Sequence, residues 1–195
     1  MEVKPVVLTG THVQLEPMTE AHITGLAEIG MGQDFWHFML YGEMKSVDDM
    51  RNWVTDILSR AEKGAEVPFV AVHLASGRLA GATRYMNVTS EHRGLEIGGT
   101  WYGPDFQRMA VNTEAKYLLL QHAFETLGAI RVQLKTDSRN VRSQTAIERL
   151  GAVKEGILRN HMVLPDGYFR HSVYYSILET EWPEVKARLE RMLDR

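Results

Sequence analysis

The chain has 195 residues, of which 44% are hydrophobic and 24% charged, and its formal net charge is −3 at pH 7. This balance is typical of a globular protein, and the length predicts a single domain over residues 1–195. The charge argues against a broad basic surface for nucleic acid. The sequence contains no cysteine, which excludes disulfides, thiolate zinc sites and a thioester intermediate on a cysteine.

The first ten residues carry charges and a proline instead of the apolar stretch of a secretory signal. The apolar runs, such as 69–74, fall far short of the ~20 residues that cross a bilayer. We therefore expect a cytoplasmic protein with no membrane contact. The sequence leaves the oligomeric state open, a homodimer included.

The first half of the chain predicts a strand, two helices and then a group of strands. Residues 12–17 alternate and stop at Pro17, which is typical of an edge strand. Ser46 is followed three residues later by Asp49, close to a capping box at the start of a helix. The predicted elements are a strand at 12–17, helices at about 19–29 and 47–63, and an antiparallel meander of strands at 67–74, 78–87 and 94–102.

The second half begins with an amphipathic helix over 113–127, which Gly128 ends. Asp137 or Ser138 is predicted to cap a helix that runs to Leu150, with Gly151 as its C′ residue. The other elements are strands at 130–136, 152–163 and 171–178, with a Pro165-Asp-Gly167 turn between the last two, and a final helix over 182–195. The strand, helix and strand around 113–127 require a parallel pair, so the fold class is α+β with a mixed sheet.

The segment 94–116 runs from a strand through a tight loop into a helix N-terminus, which is a suitable geometry for binding an anion. The backbone N–H groups of 107–113 are candidates for holding a pyrophosphate, and Arg108 adds a mobile positive charge. The alternative is that the segment is simply a well-formed connection between a strand and a helix. It matches neither a Walker loop nor a Rossmann fingerprint.

Two motifs make the chain similar to a known family. They are 104–107 leading into Asn112-Thr-Glu-Ala-Lys-Tyr-Leu-Leu-Leu120, and an Asn-x-x-Ser sequence followed by Leu-Gly within 140–151. From about residue 11 to 182 the chain resembles the GCN5-related N-acetyltransferase (GNAT) superfamily, and within it the RimJ/RimL branch that acetylates N-terminal amines of ribosomal proteins.

The resemblance implies the GNAT fold, a central mixed and mostly antiparallel sheet flanked by helices. It also implies acetyl-CoA as co-substrate and an amine acceptor, which is a peptide N-terminus or a small amine. Asn140 and Ser143 would lie near the pantetheine and the sulfur. The residues that would hold the pyrophosphate are Gln107, Arg108, Met109, Ala110, Val111, Asn112 and Thr113.

The chain departs from the family pattern at two places. The usual loop reads Gln/Arg-x-x-Gly-x-Gly/Ala, whereas here Ala110 and Asn112 occupy the glycine positions. Alanine is the smallest residue with a Cβ, and asparagine tolerates left-handed conformations, so both replacements are mild. Ile147 stands where some members carry a tyrosine acid, which excludes tyrosine as the acid at that site.

Acetylation needs a proton donor for the departing thiolate and a base for the amine. Asn140, Ser143 and Ile147 share one helix face, so the Ser143 hydroxyl is a candidate donor; alternatively it bonds a carbonyl of the preceding turn. For the base, Glu96 is predicted to point into the cleft from its strand. His161 is the rival candidate because its ordinary pKa suits proton transfer near neutral pH, and a water relay is the third possibility.

The sequence thus predicts an N-acetyltransferase that works by direct attack of an amine on acetyl-CoA, without an acyl-enzyme. One alternative keeps the fold and takes a small molecule as acceptor, such as an antibiotic, a polyamine or an amino acid. A second alternative is a non-catalytic module that binds acyl-CoA. No histidine pair has metal-ligand spacing, so no metal site is predicted.

Overall fold

The structure, a computed structural model, describes residues 1–194 and contains one large sheet with helices on both of its faces. The strands are β1 (Leu8–Thr9), β2 (Val13–Pro17), β3 (Glu66–His73), β4 (Arg78–Thr89), β5 (Gly94–Tyr102), β6 (Arg131–Asp137), β7 (Val153–Val163) and β8 (Phe169–Leu178). The helices are α1 (Ile23–Gly30), α2 (Val47–Glu62), α3 (Ala110–Gln121), α4 (Val141–Leu150) and α5 (Trp182–Leu193). Among the described residues, no helix combines the length and apolarity that crossing a bilayer requires.

The sheet has the strand order β1-β2-β3-β4-β5-β6-β8-β7. The predicted meander of β3, β4 and β5 is antiparallel, and the predicted parallel pair is β5 with β6. The edge assignment of 12–17 is wrong, because Leu8 and Thr9 form a short strand that pairs outside it. The rest of the pairing is antiparallel, so the sheet is mixed as the sequence predicts.

Strand alternation gives each face of the sheet its own apolar core. One face packs against α3 and α5 through a cluster that includes Leu95, Ile97, Val132, Leu134 and Leu119. The other face packs against α1 and α2 through a cluster rich in tryptophan. Side chains that alternate with the first cluster on β5, β6 and β8 must therefore point toward the α1/α2 side.

Local signals set several helix ends. Ser46 Oγ accepts the Asp49 N–H at 3.1 Å while Asp49 Oδ2 accepts the Ser46 N–H at 2.9 Å, so the predicted capping box at α2 is confirmed. Gly151 ends α4 with φ +107°, in the left-handed region as predicted. The helix predicted over 182–195 begins at Trp182 and ends at Leu193; Arg195 lies outside the described residues.

The predicted caps of α4, Asp137 and Ser138, are wrong. β6 continues through Asp137, and the Ser138 N–H extends the pairing by donating to the His171 carbonyl at 2.9 Å. The cap is Asn140, whose Oδ1 accepts the Ser143 N–H at 2.9 Å. The Asp137 carboxylate instead binds Arg139.

A buried carboxylate on α3 holds the N-terminal part of the sheet. Glu114 accepts the N–H groups of Thr11 (2.8 Å), His12 (2.6 Å) and Val13 (2.7 Å), just where β2 begins. Gly10 leaves room for this carboxylate, because a Cβ at that position would overlap it and displace it from the three N–H groups. A helix that follows β5 is thereby fixed to a strand about 100 residues earlier.

The last helix is attached at defined points to α3 and to residues 122–126, which directly follow it. Tyr117 donates to Glu190 at 3.0 Å, and the Trp182 indole donates to Glu125 at 2.8 Å while its ring stacks on Phe124. These contacts fix the rotation of α5 about its axis. The side chains of its last two turns therefore have a defined position relative to the start of α3.

Candidate active site

The candidate site begins where β5 and β6 stop pairing. Only Gly94, Leu95 and Glu96 are in register with β6, although both strands continue further. Gly99 has φ +58°, and the register between β4 and β5 also shifts in this region. The C-terminal halves of β5 and β6, which are parallel neighbours, therefore do not pair with each other. A cleft opens in the sheet between them.

The N-terminus of α3 lies at the mouth of this cleft, directly after β5. Helix geometry leaves the N–H groups of Met109, Ala110, Val111 and Asn112 without an acceptor inside the helix, and Met109 provides no side-chain cap. The N–H of Gln107 already donates to the Pro104 carbonyl at 3.3 Å. The helix thus presents a narrower set of amides than the 107–113 range of the sequence prediction.

Two side chains of the loop differ in role. Arg108 is exposed and has φ +64°, a conformation that favours glycine and costs a residue with a Cβ on the order of 1 kcal/mol. Gln107 links the loop to β5 and α4. Its Nε2 donates to the Tyr102 carbonyl at 3.0 Å, and its Oε1 accepts a hydrogen bond from the Arg142 guanidinium of α4 at 2.8 Å. Sequence reasoning missed Arg142, since nothing in its local pattern indicates the contact with a loop 35 residues away.

The first turn of α4 lies on the other side of the cleft. Asn140 uses its oxygen to cap the helix, which orients Ser143 on the first turn. Within the described chain the Ser143 hydroxyl makes no hydrogen bond, so it does not bond the carbonyl of the preceding turn. It is half-buried and available to a ligand, whereas Ile147 on the same face is buried.

Glu96 is buried on the α1/α2 side of the sheet, at the last paired position before the cleft. Its side chain is 1% exposed, and its Oε2 accepts Asn87 (2.9 Å), Gln133 (2.8 Å) and Lys135 (3.2 Å). These donors stabilise the carboxylate, and all three bind the same oxygen. The glutamate is therefore not an ordinary solvated strand residue, and its Oε1 is left for another partner.

His161 lies on the same side of the sheet, three strands away on β7. Its Nδ1 is 3.0 Å from Ser172 Oγ and its Nε2 is 3.2 Å from the Tyr174 hydroxyl. Burial lowers the pKa of His161, and the charges of Lys135 and Arg170 lower it further, so the imidazole is neutral near pH 7. Lys135 lies between the two candidate bases. It binds Glu96, and it lies 6.0 Å from the centre of the ring of Tyr174, whose hydroxyl contacts His161.

The connection between α1 and α2 covers part of this side. Arg170 of β8 donates to the Phe38 carbonyl at 3.0 Å, and a Cβ on Gly42 would lie 3.6 Å from Pro165 in the turn between β7 and β8. The Arg139 guanidinium stacks on the Tyr168 ring at 3.6 Å. These contacts join the helical and strand halves of the wall around the Glu96 side of the cleft.

A buried lysine lies on the α3 side. Lys116 is 6% exposed, and its Nζ donates to Thr100 Oγ1 of β5 at 2.7 Å. Thr100 in turn shares a hydrogen bond of 2.8 Å with Thr83 of β4. Burial lowers the pKa of Lys116 to about 7, because the charged ammonium loses its hydration inside the fold.

The chain is similar to known proteins in family, sequence and structure. The family model "Acetyltransferase (GNAT) domain" matches residues 12–153. The Bacillus subtilis (strain 168) protein "Putative ribosomal N-acetyltransferase YdaF" is 33% identical over 113 residues, which cover 58% of this chain and 61% of YdaF. The chain thus matches about three fifths of the length of that relative.

Solved structures match over nearly the whole chain. A "putative acetyltransferase" from T. thermophilus is 40% identical with a TM-score of 0.90, covering 99% of this chain and 100% of that one. "Mycobacterium smegmatis RimJ in complex with CoA-disulfide" is 20% identical with a TM-score of 0.82, covering 96% and 95%. The predicted fold class is confirmed by these overlaps.

Lys116 predicts an unusual pH dependence of stability. In the unfolded chain the Lys116 amine keeps its proton up to its ordinary pKa near 10.4, whereas in the folded chain it loses the proton near pH 7. Between these values the unfolded state binds more protons, so the free energy of unfolding rises with pH. Lys116→Met removes this dependence. The difference in free energy of unfolding, variant minus wild type, should therefore be larger at pH 6 than at pH 10, by on the order of 3 kcal/mol.

Urea unfolding of both proteins at the two pH values measures this difference. Lys63→Met, at an exposed lysine, is the control and should show almost no pH-dependent change. An equal effect of Lys116→Met at pH 6 and pH 10 would show that Lys116 stays charged in the folded protein.

Proposed function

The chain belongs to the GNAT acetyltransferase family, and on that premise we propose that it transfers an acetyl group from acetyl-CoA to a primary amine. The observation that carries the proposal is the cleft between β5 and β6. On one side it meets the free amides of α3, and on the other the buried Glu96. An anionic donor and a cationic acceptor can therefore approach the same point from opposite faces of the sheet.

The donor site consists of backbone amides and the side chain of Ser143. The amides of 109–112 and the α3 dipole hold the pyrophosphate, with Arg142 and Arg108 beside them. Ser143 donates to the sulfur as negative charge develops on it, since its hydroxyl is free. The CoA-disulfide in the related RimJ structure supports CoA as the ligand class.

The acceptor side favours an amine. Glu96 takes the proton through Oε1, directly or through water, while Asn87, Gln133 and Lys135 hold Oε2. The amine then attacks the thioester without an acyl-enzyme. We take a protein N-terminal α-amine as the acceptor; the name of YdaF and the RimJ relative support this choice.

Turnover of acetyl-CoA with a panel of amines tests the function. We expect release of free CoA with peptides that have a free N-terminus, and no release with the same peptides blocked at the N-terminus. Faster turnover of polyamines, aminoglycosides or free amino acids would identify a small-molecule acetyltransferase. Binding of acetyl-CoA in a thermal melt without turnover of any amine would identify a non-catalytic binding module.

The choice of base makes a second prediction. If Glu96 accepts the proton, Glu96→Gln removes the acidic limb of the kcat/KM profile, whereas His161→Gln leaves that limb in place. Acceptors of different pKa must be compared, because the amine can produce a similar limb. Loss of the limb only in His161→Gln would transfer the role to His161, and its persistence in both variants would indicate a water relay.

Ser143 makes a third prediction. Ser143→Ala should lower kcat by about tenfold or more and leave the KM for acetyl-CoA within about twofold, because the hydrogen bond strengthens only as charge develops on sulfur. Thr145→Ala, at an exposed position on the same helix, is the control. Equal kcat for wild type and Ser143→Ala would exclude the serine as proton donor.

A further inference from the structure

The free edge of the sheet carries a β-bulge. β7 is the last strand in the sheet order, so its outer edge has no partner strand within residues 1–194. Its register against β8 shifts between Leu158 and Met162. Residues 159–161 therefore stand opposite His171 alone, and the N–H of Asn160, which has φ +47°, donates to His171 Nδ1 at 2.8 Å. Such a bulge bends the strand and changes the direction of the side chains beside it.

A cavity of about 910 Å³ opens at this bulge, and we call it the bulge cavity. Ile157 and Leu158 form its apolar part, and each is about half-exposed. Arg159 is exposed next to them. The lining residues are Ile157, Leu158, Arg159, Asn160, His161 and His171.

The charge of the bulge cavity is one-sided. A guanidinium and two imidazoles line it, and no aspartate or glutamate of the described chain does. The only carboxylate of β7 is that of Glu155, and it already binds Arg131 and Ser176. An unopposed guanidinium beside apolar side chains favours a ligand that carries a carboxylate.

The bulge cavity is connected to the candidate base through His161. The His161 Nε2 lies 3.2 Å from the Tyr174 hydroxyl, and the Tyr174 ring lies 6.0 Å from the Lys135 ammonium, which binds Glu96 at 3.2 Å. These contacts keep Glu96 Oε2 and His161 Nε2 within about 15 Å of each other, which an extended chain covers in about five residues. A small amine held at Glu96 does not reach the bulge cavity, whereas a polypeptide does.

A second copy of this chain is disfavoured as the occupant. Bulges and cationic side chains on an edge strand oppose pairing between the edges of two sheets. A two-fold axis at the bulge would also place the basic side chains of the two copies against each other. The charge therefore favours a chain of opposite sign.

We infer that the bulge cavity binds the acceptor polypeptide downstream of its reactive N-terminus and that Arg159 selects an acidic side chain at about the fourth to sixth residue. The inference rests on the proposed function and names a class of acceptor for it. Arg159 would then determine specificity without touching the reacting atoms. Its effect should lie in KM, with kcat nearly unchanged.

Decapeptide amides with a free N-terminus, identical except for Glu, Gln or Lys at residue 5, test the inference at low ionic strength. The wild type should show the order Glu, Gln, Lys in kcat/KM, with about tenfold between Glu and Lys, since the exposed guanidinium attracts one charge and repels the other. The kcat values should agree within about twofold. The same three substitutions at residue 10 should have almost no effect, because that residue lies beyond the cavity.

Reversal of the charge at Arg159 gives the sharpest result. In Arg159→Glu the order should become Lys, Gln, Glu, with the Gln peptide nearly unaffected. Lys154→Glu is the matched control, since Lys154 is an exposed cation of the same strand that does not line the cavity. This control should keep the order of the wild type. Circular dichroism checks that both variants are folded.

The possible outcomes are distinct. Equal KM values for the three peptides in the wild type overturn the inference and leave the proposed function in place. An equal loss for all three peptides in Arg159→Glu also overturns it, because the arginine would then act through structure. A dimer of the wild type that Arg159→Glu dissociates would assign this edge to a second copy instead. Absence of turnover with every peptide that has a free N-terminus contradicts the proposed function itself.

Discussion

The limited pairing of β5 with β6 is the constraint on which the rest of the site depends. Had the ladder continued beyond Glu96, the backbone groups of the two strands would satisfy each other and the sheet would be closed. Because it stops, backbone donors and acceptors along the inner edges of both strands need partners from elsewhere. A ligand with amide groups of its own, such as the pantetheine arm of CoA, meets this requirement in the proposed function.

Charge is divided between the two faces of the sheet on either side of this opening. The helices α3, α4 and α5 bring amides and arginines together, while the α1/α2 side places a carboxylate at the end of the paired region. Lys116 and Lys135 lie behind these surfaces, each tied to a strand residue, Thr100 in one case and Glu96 in the other. In the proposed function, this field orients a negative donor and a positive acceptor before either reaches the cleft.

Much of the fold could be predicted because its signals are local. The Ser46 capping box, Gly151 and the alternation in β6 each act through residues a few positions apart. The cap of α4 was missed because Asp137 and Asn140 are both good caps, and only the contact of Asp137 with Arg139 decides between them. Residues such as Arg142, Lys116 and Gln133 carry no local pattern, since their roles arise from partners that only the tertiary fold brings near.

The hydrogen bonds of Glu114 have a further consequence for dynamics. The amide hydrogens of Thr11, His12 and Val13 are bound by a side chain of α3, the helix whose N-terminus lies at the mouth of the cleft. These hydrogens can exchange with solvent when the Glu114 carboxylate releases them, and separation of α3 from β2 does this for all three at once. The exchange rates of these amides at the start of β2 therefore report the opening of α3. A ligand that holds the start of α3 in place should slow this exchange, although it does not touch β2.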